Sequence, residues 1–544
     1  MTLDLHVLLA DLDSPDLDLS ARLERAKSSA DRIWAQPRLH WFTDHSSTRH
    51  SRRIIQILGD LVAHLQNTSH ALGRSELFVL LCAAYLHDIG MQDFRVDGRG
   101  PDDFDVEDYE LIRTRHPARA RELIVARALR LEATRDDFVI DLDDQLDYLL
   151  PTALVSEGHG SAFFEKVVAE FRAADYAPEN QAFRGPLLTA LLLIADELDL
   201  HEDRAAFPAE MDRSPVTALH HHVNHYVTRV TVVEGEHPRV RRVYVSLAYP
   251  QQSESYQDEV RGFITDKLAR QARRVNPVLA TESGGELSVD PVIHVRERTE
   301  SFEAARRPLP PQALAHLRSE LFEDALVGRK ETIARLRFCI TQSSPSEYEL
   351  AVDPDSDLPM LMRWAEATAE AHGRHWVHVD FTLAVGTEKE DVFWRITEQA
   401  SPPDAAGEPT AEGQPIPADS LATVATDSSH FQVWVLEGVD RLAEDVRAWL
   451  QVQLSEVAKV GVPLLVITVR SAQSPPVFLE AQQLHLGALT EEDVVTHLRD
   501  KFGYAPEECI ADAQELIASS EGIPGRLLAG LAIRRRRNHT EVMA

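Results

Sequence analysis

The most constraining feature of this chain is an apolar run, Leu77 to Leu86, that ends on His87-Asp88 and is followed by Ile89-Gly90. Ser75 is the expected N-cap of the helix leading to His87. An imidazole and a carboxylate side by side at a helix end can bind one metal ion together. A second run, Leu187 to Leu200, is so apolar that it must cross a core, which makes its acid Asp196 conspicuous. With His50 upstream, Asp196 offers the ligands that the His-Asp pair lacks, so three separate helices are expected to meet.

A chain of 544 residues exceeds what one hydrophobic core organises, so two or three domains are expected. Lys and Arg number 56 against 88 Asp and Glu, a net charge of −32 that repels polyanions unless a local basic site overrides it. Nucleic-acid polymers are therefore not the default partner. Cys82, Cys339 and Cys509 lie far apart with no CxxC pair, as expected in a reducing compartment. Asp4, Asp11 and Asp13 stand where a signal peptide would need a basic start, and no apolar run approaches the roughly 18 residues of a membrane span. A soluble, cytoplasmic protein without a membrane partner is expected.

Apolar residues recur at helical spacing from Ile54 to Leu65, and further helices are expected over Ala118 to Leu131, Leu142 to Leu150 ahead of Pro151, and Leu187 to Leu200. From Tyr226 to Tyr249 β-branched and aromatic residues alternate with arginine around Glu234-Gly235-Glu236, the pattern of a hairpin in a small sheet. Arg306 to Pro311 cannot continue a helix and reads as part of a linker. Beyond it, helices alternate with apolar strands at Trp376 to Val379, Val433 to Leu436 and Leu464 to Val469, the rhythm of a parallel α/β sheet. Ser401 to Pro417 reads as an exposed loop. The expected division is a mainly helical domain with a small β-hairpin sheet over residues 1–300, a linker over 301–318, and an α/β domain over 319–544 with a helical C-terminal end.

His50, His87, Asp88 and Asp196 together supply two nitrogens and two oxygens. Such a set suits Mn, Fe, Co, Ni or Mg, since a structural zinc site more often uses thiolates. An ion with open positions can acidify water and neutralise a phosphate oxygen, supplying nucleophile and electrophile at one site. Around His116 stand Arg113, Arg115, Arg119, Arg121, Arg127, Arg130 and Arg135, a local reversal of charge in an acidic chain. The planar fork of arginine matches phosphate oxygens, so Arg113, Arg115 or Arg119 is expected to hold a polyphosphate or phosphodiester. The acidic loop Arg95 to Glu110 follows the His-Asp pair where a lid would act. His220, His221, His222 and His225 read as non-ligating.

Arg49-His50-Ser51, Leu86-His87-Asp88-Ile89-Gly90 and Ala195-Asp196-Glu197-Leu198-Asp199 resemble the H…HD…D signature of the HD phosphohydrolase superfamily, over roughly residues 40–205. The resemblance implies metal ligation by His50, His87, Asp88 and Asp196. In HD-GYP-like members, histidines placed like His116, in His116-Pro117, and His159 complete a second metal site bridged by the HD aspartate, so one or two divalent ions are implied. The GYP residues themselves are absent. Asp88, His116 and His159 are then the expected catalytic residues. Thr43-Asp44-His45 and Arg204 resemble the branch of HD domains fused to signalling or conflict-system ATPases.

In the second half, Leu326-Val327-Gly328-Arg329, Val433 to Asp440, Ile467-Thr468-Val469-Arg470 and Gly522-Ile523-Pro524-Gly525 resemble, in this order, a STAND-type P-loop NTPase. The resemblance implies that Glu437 and Asp440 act on magnesium and water and that Thr468 and Arg470 sense a γ-phosphate. The P-loop itself is missing: Ala351 to Pro359 holds Asp353, Asp355 and Asp357 where glycines and a lysine would cradle phosphate. The domain reads as a degenerate NTPase retained for regulation, oligomerisation or sensing.

The function expected is therefore hydrolysis of a phosphoester or phosphoanhydride of a nucleotide, either a deoxynucleoside triphosphate or a cyclic or linear oligonucleotide. By family likeness the setting is antiviral defence or nucleotide signalling, with a nucleotide effector and a homo-oligomer implied. The alternatives are a receptor that holds a nucleotide signal without cleaving it, and a nuclease on single strands.

Overall fold

The computed structural model describes residues 3–13, 17–35, 42–92, 104, 106–126, 140–142, 146–174, 176, 178, 182–207, 214–250, 252–297, 306–342, 346–353, 356–382, 388–400, 421–426, 431–460, 464–478, 481–487, 489–502 and 506–520. The chain divides into two compact units, Met1–Leu309 and Pro310–Ala544. Among the described residues no helix is long and apolar enough to cross a membrane.

The first unit is mostly helical. Its helices are α1 (Leu5–Leu12), α2 (Leu19–Trp34), α3 (Arg52–Val62), α4 (Arg74–Leu86), α5 (Val106–Ala126), α6 (Leu146–Gly158), α7 (Phe164–Ala173), α8 (Gly185–Leu198), α9 (Pro215–Tyr226) and α10 (Glu254–Glu282). α4 is buried from Ser75 to Leu86 and α8 from Gly185 to Ala195, so both run through the core with apolar side chains on every face. α4 begins two residues earlier than expected: Gly73 is its N-cap, Glu76 Oε2 accepts the Gly73 N–H at 3.0 Å, and Ser75 faces Tyr148 instead. Arg184 then holds the buried Glu76 carboxylate at 2.7 Å.

Two helices continue through a proline, and Pro151 was expected to end the first of them. α6 carries Pro151 in its second turn, where the carbonyl it leaves unpaired belongs to the exposed Asp147, while Tyr148, Leu149, Ala153, Leu154 and Val155 are buried and hold the helix in place. α5 starts at Val106 and runs through Pro117; residues 127–139, and with them Arg127, Arg130 and Arg135, lie outside the described residues, as does most of the Arg95 to Glu110 loop.

The hairpin is present as β1 (Val227–Glu234) and β2 (Val240–Leu247), antiparallel, and a third strand, β3 (Ser288–Glu297), joins β2 in parallel. β3 escapes a reading of the sequence because it contains Pro291. That proline sits where the pairing register shifts, on an edge strand, which is where a sheet tolerates one.

The second unit holds α11 (Pro311–Ala325), α12 (Lys330–Thr341), β4 (Ser346–Val352), α13 (Leu358–Ala371), β5 (His375–Asp380), α14 (Lys389–Ala400), α15 (Leu421–Thr426), β6 (Gln432–Glu437), α16 (Glu444–Val460), β7 (Leu464–Ser471), β8 (Gln482–Leu486), α17 (Glu491–Phe502) and α18 (Pro506–Ser520). α11 occupies part of the span expected as linker, because Pro311 stands at the first helical position, where its missing N–H costs nothing. The five strands form one parallel sheet in the order β5-β6-β7-β4-β8. Both faces are covered: Trp434 and Leu436 of β6 pack into one core with α14 and α16, while Val433 and Val435 pack into the other with α12 and α13. Ser401 to Pro417 and Gly522 to Gly525 lie outside the described residues.

Candidate metal centre

Four histidines turn Nε2 toward Asp88, and the reason lies in what holds each Nδ1. His87 caps the C-terminus of α4, where the last carbonyls have no helical partner, and its Nδ1 donates to the Ala84 carbonyl at 3.2 Å. His159 follows the last turn of α6 and in the same way donates Nδ1–H to the Ser156 carbonyl. His116 precedes Pro117, whose missing N–H frees the Arg113 carbonyl, and His116 Nδ1 donates to that carbonyl. His50 lies on a wide π-helical turn, Ser47–Ser51, ahead of α3, and its Nδ1 donates to Asp199 Oδ2 at 2.6 Å. Each acceptor is an oxygen that can only accept, so each imidazole carries its proton on Nδ1 and turns Nε2 inward.

Asp88, 3% exposed, divides its two oxygens between two pairs of these nitrogens. Oδ2 lies 3.1 Å from His50 Nε2 and 3.2 Å from His87 Nε2; Oδ1 lies 3.2 Å from His116 Nε2 and 3.4 Å from His159 Nε2. Asp196, in the last turn of α8, completes the first pair, with Oδ1 3.2 Å from His50 Nε2 and 3.8 Å from His87 Nε2. The ligating atoms of His50, His87, Asp88 and Asp196 lie within 4.8 Å of one another, and so do those of Asp88, His116 and His159.

The Nε2 atoms of His50 and His87 stand 3.1 Å apart, and those of His116 and His159 stand 3.0 Å apart. With Nδ1 already protonated, two facing lone pairs repel unless a cation stands between them. The donor set thus fits a divalent ion of hard or borderline character at each pair.

The electrostatics agree. Burial disfavours charge on His50, as does Arg204, yet hydrogen bonds to Asp196, Asp199 and Asp88 raise it to about 9. On His87 the same burial is outweighed by the charge of Asp88 and by hydrogen bonds to Asp196 and Asp88, raising it to about 10. Burial pushes Asp88 and Asp196 up, but the surrounding imidazoles hold both carboxyls well below the usual carboxylate range. Protons therefore occupy His50 and His87 where a metal would sit.

Three supporting residues escaped the sequence-based list of site residues. Asp199 is 2% exposed and accepts from both His50 and Arg53, the latter at 2.6 Å. Arg204 donates to the Asp199 carbonyl at 2.6 Å and reaches His45 Nδ1 at 3.2 Å. His45 Nδ1 also lies 2.7 Å from Asp88 Oδ2, and burial lowers His45 to about 4. Asp199 stands in the same short stretch as Asp196, but its bond to His50 spans 149 positions and has no local signature.

A cavity of about 300 Å³ opens onto Asp88, Asp196, His116 and His159, and Arg113 lines it. Arg115 is exposed, and neither it nor Arg119 is among the lining residues. Of the histidines on α9, His220 lines the cavity; His221 accepts from the Ala206 N–H, His222 bonds the Arg307 carbonyl, and His225 bonds Arg306.

In the second unit the expected nucleotide-facing groups are engaged by other protein groups. Arg470 pairs with the fully buried Glu349 of β4 at 2.5 Å, and Thr468 donates to the Tyr348 carbonyl. Glu437 meets His378 at 3.0 Å, and Asp440 accepts from Ser474 at 2.6 Å. In the loop expected to repel phosphate through three carboxylates, Asp357 is instead neutralised. Arg329 Nε lies 3.1 Å from both its oxygens, and Arg329 Nη2 donates to the Gly487 carbonyl at 2.7 Å. Asp355 lies outside the described residues.

Among curated proteins none matches this chain significantly. Residues 39–275 match the model of the HD-CE family, a match that does not extend to Pro310–Ala544. With its buried His/Asp clusters, the first unit therefore carries an HD domain of the HD-CE family, an HD-type metal-dependent phosphohydrolase.

Proposed function

We propose that the first unit hydrolyses a phosphoester or phosphoanhydride bond of a nucleotide, either a deoxynucleoside triphosphate or a short oligonucleotide. The observation that carries this reading is the convergence of four imidazoles, each with Nδ1 committed elsewhere, on the two oxygens of Asp88 beside a cavity. His50, His87, Asp88 and Asp196 hold one divalent ion, and Asp88, His116 and His159 hold a second. A divalent ion supplies Lewis acidity toward a phosphate oxygen and lowers the pKa of a coordinated water. Asp199 and three backbone carbonyls keep the Nε2 atoms facing inward, so the donor geometry is set before substrate arrives. His116 and His159, at the cavity wall, would present the second ion to the phosphate, and Arg113, which also lines the cavity, neutralises phosphate charge.

The size of the cavity supports a nucleotide-sized substrate over a polymer duplex, in line with the net charge of −32. The second unit is a degenerate P-loop-like module that regulates the first. Its sheet order and the degenerate segment directly after β4, ahead of α13, support this reading, and so does the internal pairing of Arg329, Glu437 and Arg470. Antiviral defence or nucleotide signalling is the setting that the likeness suggests, with manganese the first metal to try.

The test is a turnover screen of the manganese-loaded chain beside Asp88→Ala, with deoxy- and ribonucleoside triphosphates, cyclic oligonucleotides and single-stranded DNA, each with and without nucleotide effectors. Hydrolysis present in the parent and absent in the variant is expected. No turnover in either protein, together with tight nucleotide binding in both, would sink the hydrolase reading and favour a receptor.

A further inference from the structure

A fifth imidazole meets Asp88 and belongs to neither donor cluster. His45 stands just ahead of the π-helical turn, lines the cavity, and points Nδ1 at Asp88 Oδ2 across 2.7 Å. It differs from His50, His87, His116 and His159 in the nitrogen it presents: those four turn Nε2 inward, and His45 turns Nδ1. A carboxylate oxygen only accepts, so His45 Nδ1 carries a hydrogen and donates it. Arg204 Nη2, 3.2 Å from the same nitrogen, is also only a donor, so that contact is not a second hydrogen bond to Nδ1. His45 Nε2 meets the Thr43 hydroxyl at 3.2 Å, a group that gives or takes a hydrogen. Arg204 ties the segment down, donating to the Asp44 carbonyl at 3.0 Å and to the Asp199 carbonyl at 2.6 Å.

Asp88 needs such a hold. The torsion that turns an aspartate's carboxylate plane is broad and roughly two-fold, so the side chain itself has little preference for aiming one oxygen at each histidine pair. Yet Oδ2 faces His50 and His87 while Oδ1 faces His116 and His159. Those four imidazoles have committed Nδ1–H to Asp199 and to three backbone carbonyls, and with ions bound their Nε2 lone pairs are taken. Among the described residues, His45 is then the remaining hydrogen-bond donor to this carboxylate.

We propose that His45 is the positioning residue that keeps Asp88 shared between two ions: its Nδ1–H pins Oδ2 on the side of His50 and His87, which leaves Oδ1 for His116 and His159. Without that bond the carboxylate is free to turn both oxygens toward the more deeply buried pair, His50 and His87, and the second ion loses a ligand. The inference rests on the two-ion phosphohydrolase reading and deepens it, giving a task to Thr43, His45 and Arg204. His45 acts through Asp88 and not on the substrate.

The experiment is manganese titration of the full chain by calorimetry, with electron paramagnetic resonance to read the magnetic coupling between two manganese ions that share a carboxylate. The parent should take up two equivalents and show that coupling. His45→Phe should keep the first equivalent, weaken the second about tenfold or more, the scale of outer-shell partners of metal ligands, and lose the coupling. His45→Asn, whose amide N–H lies near the place of Nδ1, should retain both equivalents and the coupling. His45→Gln, whose amide reaches toward the place of Nε2, should behave as His45→Phe. Coupling unchanged in His45→Phe overturns the proposal. So does equal weakening of both equivalents in all three variants, which marks a packing role. Loss of the first equivalent in His45→Asn as well as in His45→Phe also overturns it, because His45 is then itself a ligand. The two readings fail separately. Hydrolysis of bis(4-nitrophenyl) phosphate by the parent, with coupling indifferent to His45, keeps the hydrolase and removes the positioning role. Coupling that depends on His45 in a parent that hydrolyses nothing does the reverse.

Discussion

At the scale of single residues, the centre is governed by what holds each Nδ1. Three of the four imidazoles use a carbonyl three residues back, while His50 depends on a side chain, Asp199. Asp199→Asn should therefore lower metal affinity about ten- to hundredfold while leaving the fold intact, as outer-shell partners of metal-bound histidines do; a metal titration followed by circular dichroism checks both. The raised His50 and His87 set a pH dependence with a definite sign. Both imidazoles hold protons up to about 9 and about 10, well above the ordinary 6.5, and a cation must displace them. Metal affinity should therefore rise by about one to two powers of ten per pH unit between roughly pH 6.5 and 9. In the metal-free chain these two protons bind more tightly to the folded state than to the unfolded. The stability they contribute is complete below 6.5 and is lost as pH climbs through 9 and 10. Unfolding midpoints measured from pH 6.5 to 9 should fall without metal, and saturating metal should flatten that decline.

At the scale of elements, the centre exists because helices end, or are interrupted, at the right places. Gly90 follows the His-Asp pair for a steric reason: a Cβ there would stand 2.1 Å from the His116 carbonyl and 2.9 Å from the Ala120 nitrogen. The backbone of α5 thus packs directly on the turn after α4, which brings His116 to Asp88. Gly90→Ala should cost about 1–3 kcal/mol of stability, as overpacked interiors do. It should also weaken metal binding at the His116 and His159 pair more than at the His50 and His87 pair, which two-site metal titration would resolve. Equal loss at both pairs would argue against this account of Gly90.

At the scale of the whole molecule, the chain combines a unit whose ionisable groups converge on a cavity with one in which Arg329, Glu437 and Arg470 are paired with the protein's own side chains. In the second unit Arg329 and Asp357, 7% and 5% exposed, form a buried pair that ties the segment before α12 to the loop after β4 and to the Gly487 carbonyl. Removing one member strands a buried charge, so Arg329→Ala should destabilise this unit by about 3–5 kcal/mol. Asp357→Ala added to it should recover part of the loss, measured by denaturant unfolding of the full chain. ATP with magnesium should leave the unfolding transition of this second unit unchanged, because its expected contacts are already occupied by the protein's own side chains.

The four residues His50, His87, Asp88 and Asp196 were legible in the sequence because each is written in a local setting: a helix end, an apolar run, a short recurrent phrase. Strands β5, β6 and β7 were legible for a similar reason, since buried parallel strands read as continuous apolar runs. β4 was not, because Ser346 to Val352 carries Glu349. Tertiary pairing with Arg470, 121 positions away, and hydrogen bonds from the Val477 and Phe478 N–H groups make that glutamate compatible with the buried centre of a strand. His220 was set aside among its neighbours on α9, and only the packing of α9 beside α5 separates it from them. Composition, charge and local phrasing thus determine which elements form and which chemistry they can carry. The partners of Asp199, the meeting of Arg113 with His220 and the closure of Arg329 on Asp357 were decided by tertiary structure. Each depends on groups far apart in the chain, whose proximity no local pattern encodes.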